Sequence, residues 1–188
     1  MHPSFVKLID YPVIDMRRSS GFVSGQYKLQ PNSAGIFQSL DAMSACVRGE
    51  VGPDFAGWQN PQIQSFKNSL IASNPFQDPA FTIFDFVQSE IKYVPHPPDQ
   101  QVIQDALVTI REKSGDCVSK SVLLATLLRA NQTPVWFVAQ CLNGLDYSHV
   151  YCEALINGKV YALDAITNEP AGWSQPCGQT GFETTWLI

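Results

Sequence analysis

Apolar residues fall at helical spacing in three consecutive stretches. Ile36, Leu40, Met43 and Val47 make one stripe, which stops at Gly49. Ile63, Phe66 and Leu70 make a second, opened by Asn60-Pro61, an N-cap followed by proline at the first helical position. Asp78-Pro79 repeats that signal ahead of Phe81, Phe84, Val87 and Ile91. Residues 36–92 are therefore predicted helical, with these stripes as core. Residues 1–35 show only weak alternation, at Phe22, Val23, Tyr27 and Leu29, and are expected to form an arm with at most short strands. Residues 93–112 begin Tyr93-Val94-Pro95-His96-Pro97-Pro98 and are predicted as a loop, since three prolines in four positions exclude helix.

The pattern carries chemistry further along. From Val118 to Arg129 the apolar positions fit a helix packed through Val122, Leu124, Ala125 and Leu128. Gly115-Asp116 is its start signal, with Asp116 as N-cap, so Cys117 lies in the first turn. The positive end of the helix favours a thiolate there, and its free N–H groups can hold an oxyanion. Pro134 to Cys141 reads as a strand. Next, Asn157-Gly158 joins two β-rich runs as a two-residue hairpin turn. In that register Ile156 pairs with Lys159, Tyr151 with Asp164 and His149 with Ile166. His149 and Asp164 then share a face, diagonally placed, within reach of an imidazole–carboxylate hydrogen bond. A one-residue slip would put them on opposite faces. Cys117, His149 and Asp164 are thus candidates for nucleophile, base and orienting acid. The competing expectation for Cys117 is an inert cysteine at a helix start.

Composition narrows the function classes. Of 188 residues 45% are hydrophobic, but only 15% are charged, against ~25% in an average domain. This excludes a disordered chain and predicts a sparsely charged surface suited to burial against a partner. A net charge of -5 without a basic run argues against nucleic-acid binding. No apolar run is long enough to span a membrane, and the first residues lack the pattern of a signal peptide. The five cysteines are expected to be reduced thiols rather than a disulfide framework, and no spacing supports zinc.

The run Gly115-Asp116-Cys117 opening a helix, His149-Val150-Tyr151 at a strand start and Leu163-Asp164 closing the next strand resembles the transglutaminase-like superfamily. Separations of 32 residues from Cys117 to His149 and 15 from His149 to Asp164 agree with it. Upstream, Phe84 to Val87 and Ile91-Lys92-Tyr93 resemble the family's pre-cysteine helix. Asp105 to Ile110 is similar to the segment before the cysteine in small phage- and prophage-encoded members. The resemblance covers residues 80–168 well and 36–79 loosely. It implies an α+β, papain-like fold with a transglutaminase-like domain (36–168, catalytic core 80–168); residues 1–35 and 169–188 fall outside it and are expected to be an N-terminal arm and a C-terminal tail. It also implies attack by Cys117 on a peptide or protein amide through a thioester, with His149 as base and Asp164 orienting it. The N–H of Cys117 would be one oxyanion donor, and Gln104 or Tyr93 the second. No cofactor is implied, and no calcium requirement is expected. Many phage-type members read G-D-C-D-D-K where this chain has Val118 and Ser119, so the acidic pair is missing.

Three functions compete. The first is a cysteine hydrolase or acyl transferase. The second is a non-catalytic virion or assembly protein on the same fold, partnered by other phage structural proteins. The third is a peptidoglycan-cleaving amidase or endopeptidase. The expected location is the cytoplasm of a bacterial host or the virion. Trp136, Trp173 and Trp186 are weaker candidates for lining a cleft, with aromatic packing as the default. His96 is expected to be solvated or capping, and Cys141 and Cys152 to be core. The apolar-ended tail is expected to dock on the domain or on a partner.

Overall fold

The computed structural model describes residues 22–23, 26–29, 35–53, 55–95, 101–142, 148–176 and 182–188. Expectations for His2, His96, Cys177 and most of the arm lie outside the described residues. The three helical stripes form α1 (Gly35–Arg48), α2 (Pro61–Ser73) and α3 (Pro79–Glu90). Asn60 and Asp78 cap α2 and α3 as expected, their side chains accepting the N–H of Gln62 and Ala80 at 2.8 and 2.9 Å. Proline is the first helical residue of each, where its missing N–H costs nothing. Ile63, Phe84, Val87 and Ile91 are buried, and Phe66, Leu70 and Phe81 pack partly buried against them.

The arm supplies β1 (Phe22–Val23) and β2 (Gln26–Leu29). The segment predicted as one loop contains structure. β3 (Lys92–Tyr93) is followed by β4 (Gln101–Gln104), which pairs antiparallel with β2. Asp105 then caps α4 (Ala106–Glu112), accepting the N–H of Leu107 at 2.8 Å. Its other carboxylate oxygen takes the Ala56 N–H, tying α4 to the α1–α2 connection. A four-residue strand and a two-turn helix are too short to show a period, so the prolines ahead of them dominated the sequence pattern.

β5 (Ser114–Gly115) runs parallel to β3 and leads into α5 (Cys117–Ala130). α5 is the centre of the molecule. It touches α1, α2, α3 and α4 on one side and β6 and β7 on the other. The expected one-sided stripe is too narrow: Leu123 and Leu127 are as buried as Leu124 and Leu128, and Ser119, Lys120, Ser121 and Thr126 are buried too. Two of these polar residues are satisfied by carbonyls, one within α5 and one on β7. Thr126 donates to Val122 O at 2.7 Å, and Ser121 to Val150 O at 3.2 Å.

The sheet comprises β6 (Val135–Cys141), β7 (His149–Ile156), β8 (Lys159–Leu163) and β9 (Phe182–Leu187), in the order β8-β7-β6-β9 and antiparallel throughout. Phe137, Ala139, Val150, Cys152, Ala154, Ile156 and Leu163 belong to the core that encloses α5. Asn157 and Gly158, at φ 51° and 79°, make the expected hairpin turn. The predicted register holds from Ile156–Lys159 to Cys152–Leu163, and there the ladder stops. Tyr151 and Asp164, and His149 and Ile166, are therefore not ladder pairs, because Asp164 already begins a turn. The tail contributes β9, paired with β6.

Gly57 shows how tightly α1 is held. A Cβ there would lie 2.4 Å from the backbone N of Gly49 and 2.6 Å from Arg48 C. Gly57→Ala should therefore push the α1 end away from its loop and lower unfolding free energy by about 2 kcal/mol, read by urea denaturation. Gly158→Ala meets open space and bears only the strain of its positive φ.

Candidate active site

Asp116 positions the cysteine. Its backbone is extended, and its carboxylate accepts the Ser119 N–H at 2.8 Å while its carbonyl takes the Lys120 N–H at 3.0 Å. Cys117 is therefore the first residue of α5, as the sequence predicts, and it is partly exposed. The N–H groups of Val150, Val118 and Cys117 itself favour the charged sulfur. The Val150 interaction sets the thiol against the start of β7, beside His149.

His149 heads β7, and Asp164 follows the last residue of β8. His149 Nε2 and Asp164 Oδ2 are 2.8 Å apart, with both residues buried. This bond places the Nε2 proton on the carboxylate side and leaves Nδ1 as the basic nitrogen. Tyr151 stacks on the imidazole, its ring centroid 5.9 Å away at 22°. Asp164 Oδ1 also accepts the Ile166 N–H at 3.3 Å, and Thr167 Oγ1 donates to the Asp164 carbonyl at 3.4 Å.

The electrostatics differ from the sequence expectation in one respect. Burial, reinforced by the Asp116 carboxylate, pushes the Cys117 thiol up to about 11, with the backbone N–H groups opposing. The helix end alone would lower it, but desolvation outweighs that effect here. The balance of these effects favours the neutral thiol at neutral pH.

Of the two further oxyanion candidates, Tyr93 lies near the thiol. Its backbone pairs with Gly115, and its phenol is raised first by burial, then by the charges of Cys117 and Asp116. Gln104 is buried and turned toward α4. Its Nε2 donates to Glu112 at 3.2 Å, and its Oε1 accepts from Thr109 at 3.4 Å. Cys141 and Cys152 are buried, and the Cys152 thiol donates to Ser121 O at 3.4 Å. Trp136 donates to Glu153 at 2.9 Å across the sheet, and Trp173 is half-buried.

Sequence reasoning missed Lys120. Its side chain is 2% exposed and donates to Ile91 O at 2.6 Å and Gln88 O at 3.5 Å, capping the C-terminal end of α3. The available signal was a lysine three residues after the cysteine, one turn into a helix rich in buried apolar residues.

A cysteine opening a buried helix and a histidine–carboxylate pair on an antiparallel sheet packed against that helix are the elements of a papain-like thiol fold. The chain belongs to the transglutaminase-like superfamily, whose family model matches residues 64–173, including Cys117, His149 and Asp164. In structure it is similar to a putative protease from Parabacteroides distasonis ATCC 8503, with a TM-score of 0.53, 16% identity, and 70% of this chain and 26% of that chain covered. Weaker likenesses are to a putative cysteine protease from Cytophaga hutchinsonii (TM-score 0.43, 22% identity, 55% and 37% covered) and to a TGase (0.43, 14%, 74% and 41%). At these identities the likeness concerns the fold. The chain spans about a quarter of the first of these proteins and less than half of the others. No curated protein matches it in sequence. Among the described residues no helix is long and apolar enough to cross a membrane.

The raised thiols make alkaline stability a test of this burial. Cys46, Cys117 and Cys152 are all raised above the ordinary thiol range, chiefly by desolvation. The unfolded chain ionises them from about pH 9, while the folded chain keeps the protons, so their stabilisation is complete below pH 9 and lost above it. Each contributes a fall of about 1 kcal/mol per pH unit near pH 10. Lys120, lowered to about 8 by burial, acts in the opposite direction over the same window. The net expectation is a melting temperature that falls between pH 9 and 11, and falls less steeply in Cys46→Ala/Cys152→Ala.

Proposed function

We propose that the protein is a cysteine-dependent amide or peptide hydrolase or acyl transferase acting through Cys117. The observation that carries this is the buried 2.8 Å His149–Asp164 bond at the head of β7, next to the thiol that opens α5. His149 Nδ1 takes the Cys117 proton as the sulfur attacks the carbonyl carbon of an amide. The carbonyl electron pair moves to oxygen, and the N–H groups at the start of α5 hold the oxyanion. Tyr93 is the second donor in this scheme, favoured over Gln104 by its place beside the thiol. The imidazolium returns its proton to the departing nitrogen as the C–N bond breaks, which leaves a thioester on Cys117. Water or an amine then attacks the thioester, with His149 again as base, and releases the thiol.

A high-lying thiol suits this order of events. Proton transfer and attack occur together, so a resting ion pair is not needed. Asp164 holds the ring by Nε2 and stabilises the imidazolium once formed.

A phage or prophage origin, with virion proteins as partners, is the finer proposal. It is supported by the similarity of Asp105–Ile110 and of the Gly115-Asp116-Cys117 opening to those small proteins. The domain limits proposed are 36–168, with 80–168 as the catalytic core. A peptide or protein amide is the proposed substrate, and cell-wall peptides are the first to try.

Alkylation of Cys117 followed by mass spectrometry tests the proposal, with Cys46, Cys141 and Cys152 as internal controls. At pH 7 the native protein should react at least ~10-fold faster at Cys117 than His149→Ala does, in line with general-base assistance of ~10²–10⁴ in turnover. Asp164→Asn should fall between them. Equal rates in native protein and His149→Ala would remove the enzymatic proposal and leave the structural one. Loss of turbidity in purified cell walls would assign the peptidoglycan branch, provided Cys117→Ala abolishes it.

A further inference from the structure

The proposed mechanism leaves one buried ion unused. Lys120 lies one turn into the nucleophile helix, 2% exposed, with its ammonium at the end of α3. It donates to Ile91 O at 2.6 Å and to Gln88 O at 3.5 Å. Gln88 in turn donates from Nε2 to Thr167 O at 2.8 Å and Glu169 O at 2.7 Å. Those carbonyls belong to the turn that carries Asp164, which is itself bonded to Ile166 and Thr167. One connected set of bonds therefore runs from the nucleophile helix through α3 to the acid of the triad.

The charges point the same way. Asp164 is 2% exposed, and a carboxylate that deep needs a counter-charge. Among the described residues, His149, Lys120 and the Cys152 thiol interact with Asp164. Of these Lys120 is the one that carries an ammonium, and the α3 groups it bonds are the carbonyls of Ile91 and Gln88.

We propose that Lys120 is a positioning residue for the triad: its ammonium keeps Asp164 ionised, and its bonds to α3, extended by Gln88, hold the Asp164 turn against His149. This assignment rests on the Cys117–His149–Asp164 triad. Burial pushes the Lys120 ammonium down to about 8 while Asp164 pulls it up, so the counter-charge is present at neutral pH and is lost as pH rises through that value.

The test uses the full chain with Lys120→Met, Lys120→Arg and His149→Ala. Two quantities are read: Cys117 alkylation by iodoacetamide, and the titration of the Asp164 carboxyl carbon by NMR. Lys120→Met should slow Cys117 alkylation at pH 7 by ~10-fold or more and move Asp164 protonation to higher pH, since a buried carboxylate without its cation protonates more easily. Lys120→Arg, which keeps a charge that does not titrate, should restore most of the rate. A folded Lys120→Met with native alkylation and a native Asp164 titration would overturn the proposal and leave a helix cap. Should Lys120→Met fail to fold, the native protein decides: the Asp164 signal must shift as Lys120 loses its proton near pH 8, and a flat trace overturns the proposal. His149→Ala separates the two ideas. Native alkylation in that variant removes the triad mechanism, whereas the Asp164 titration still reports on Lys120.

Discussion

Everything in this molecule is arranged around a helix that has no solvent side. α5 is enclosed by four helices and a sheet, and eleven of its fourteen residues are buried. A helix in that position leaves the first N–H groups as its open end, because everything further along is covered. The cysteine is placed at that end. Burying the helix fixes the sulfur against β7, and the Asp116 cap fixes where the helix begins. The site is the exposed end of the core rather than an addition to it, so packing and chemistry share their determinants. Small changes in the fit of Leu123, Leu124, Leu127 or Leu128 would be felt at Cys117 as displacement.

The same burial sets the electrostatic character of the site. Desolvation raises the thiol, and Asp116, needed as a cap, raises it further. The gain in helix definition is offset by a thiolate that is harder to form. In the proposed mechanism the remedy is the pairing of His149 with Asp164, which gives the proton a destination and fixes the ring nitrogen that receives it. Lys120 is the group that balances charge among these buried residues. Proton transfer from Cys117 to His149 then separates charge inside a cluster whose total does not change. A dry site tolerates that far better than the arrival of a new net charge.

Sequence made the local features legible and left the tertiary ones obscure. Asn60-Pro61, Asp78-Pro79, Asp116 and Asn157-Gly158 each act through their own backbone, so the caps and the hairpin turn can be read directly. Counting outward from Asn157-Gly158 brings His149 and Asp164 together although neither is paired in the β7–β8 ladder, because strand alternation outlasts that ladder. Other features depend on distant partners. The strand Gln101–Gln104 exists because Gln26–Leu29 lies beside it, and nothing within either segment announces the other. Lys120 looked like an ordinary polar position because a buried cation is recognised only when the carbonyls of Gln88 and Ile91, some thirty residues away, are in view. Gln104 and Tyr93 are equal candidates in the sequence, and only the tertiary structure shows that Tyr93 pairs with Gly115 while the Gln104 amide bonds Glu112.

The missing acidic pair at Val118 and Ser119 also follows from packing. Val118 packs partly buried against the core, and Ser119 is fully buried, with its Oγ lacking a partner among the described residues. A Cβ on Gly115 would come within 2.7 Å of Ser119 Cβ, so there is no spare room at that turn. An acid at 119 would place a second carboxylate in a dry, crowded space already facing the Gln104 carbonyl oxygen. It would also compete with Asp116 for the N–H groups that start α5. With only Asp116 at the entrance, this chain limits the negative charge around a thiol that must become negative itself. Serine at 119 preserves the tight turn at the cost of one unsatisfied hydroxyl, a smaller penalty than a buried charge. The departure from the phage-type pattern is therefore compatible with the thiol chemistry proposed for Cys117, and on electrostatic grounds it favours it.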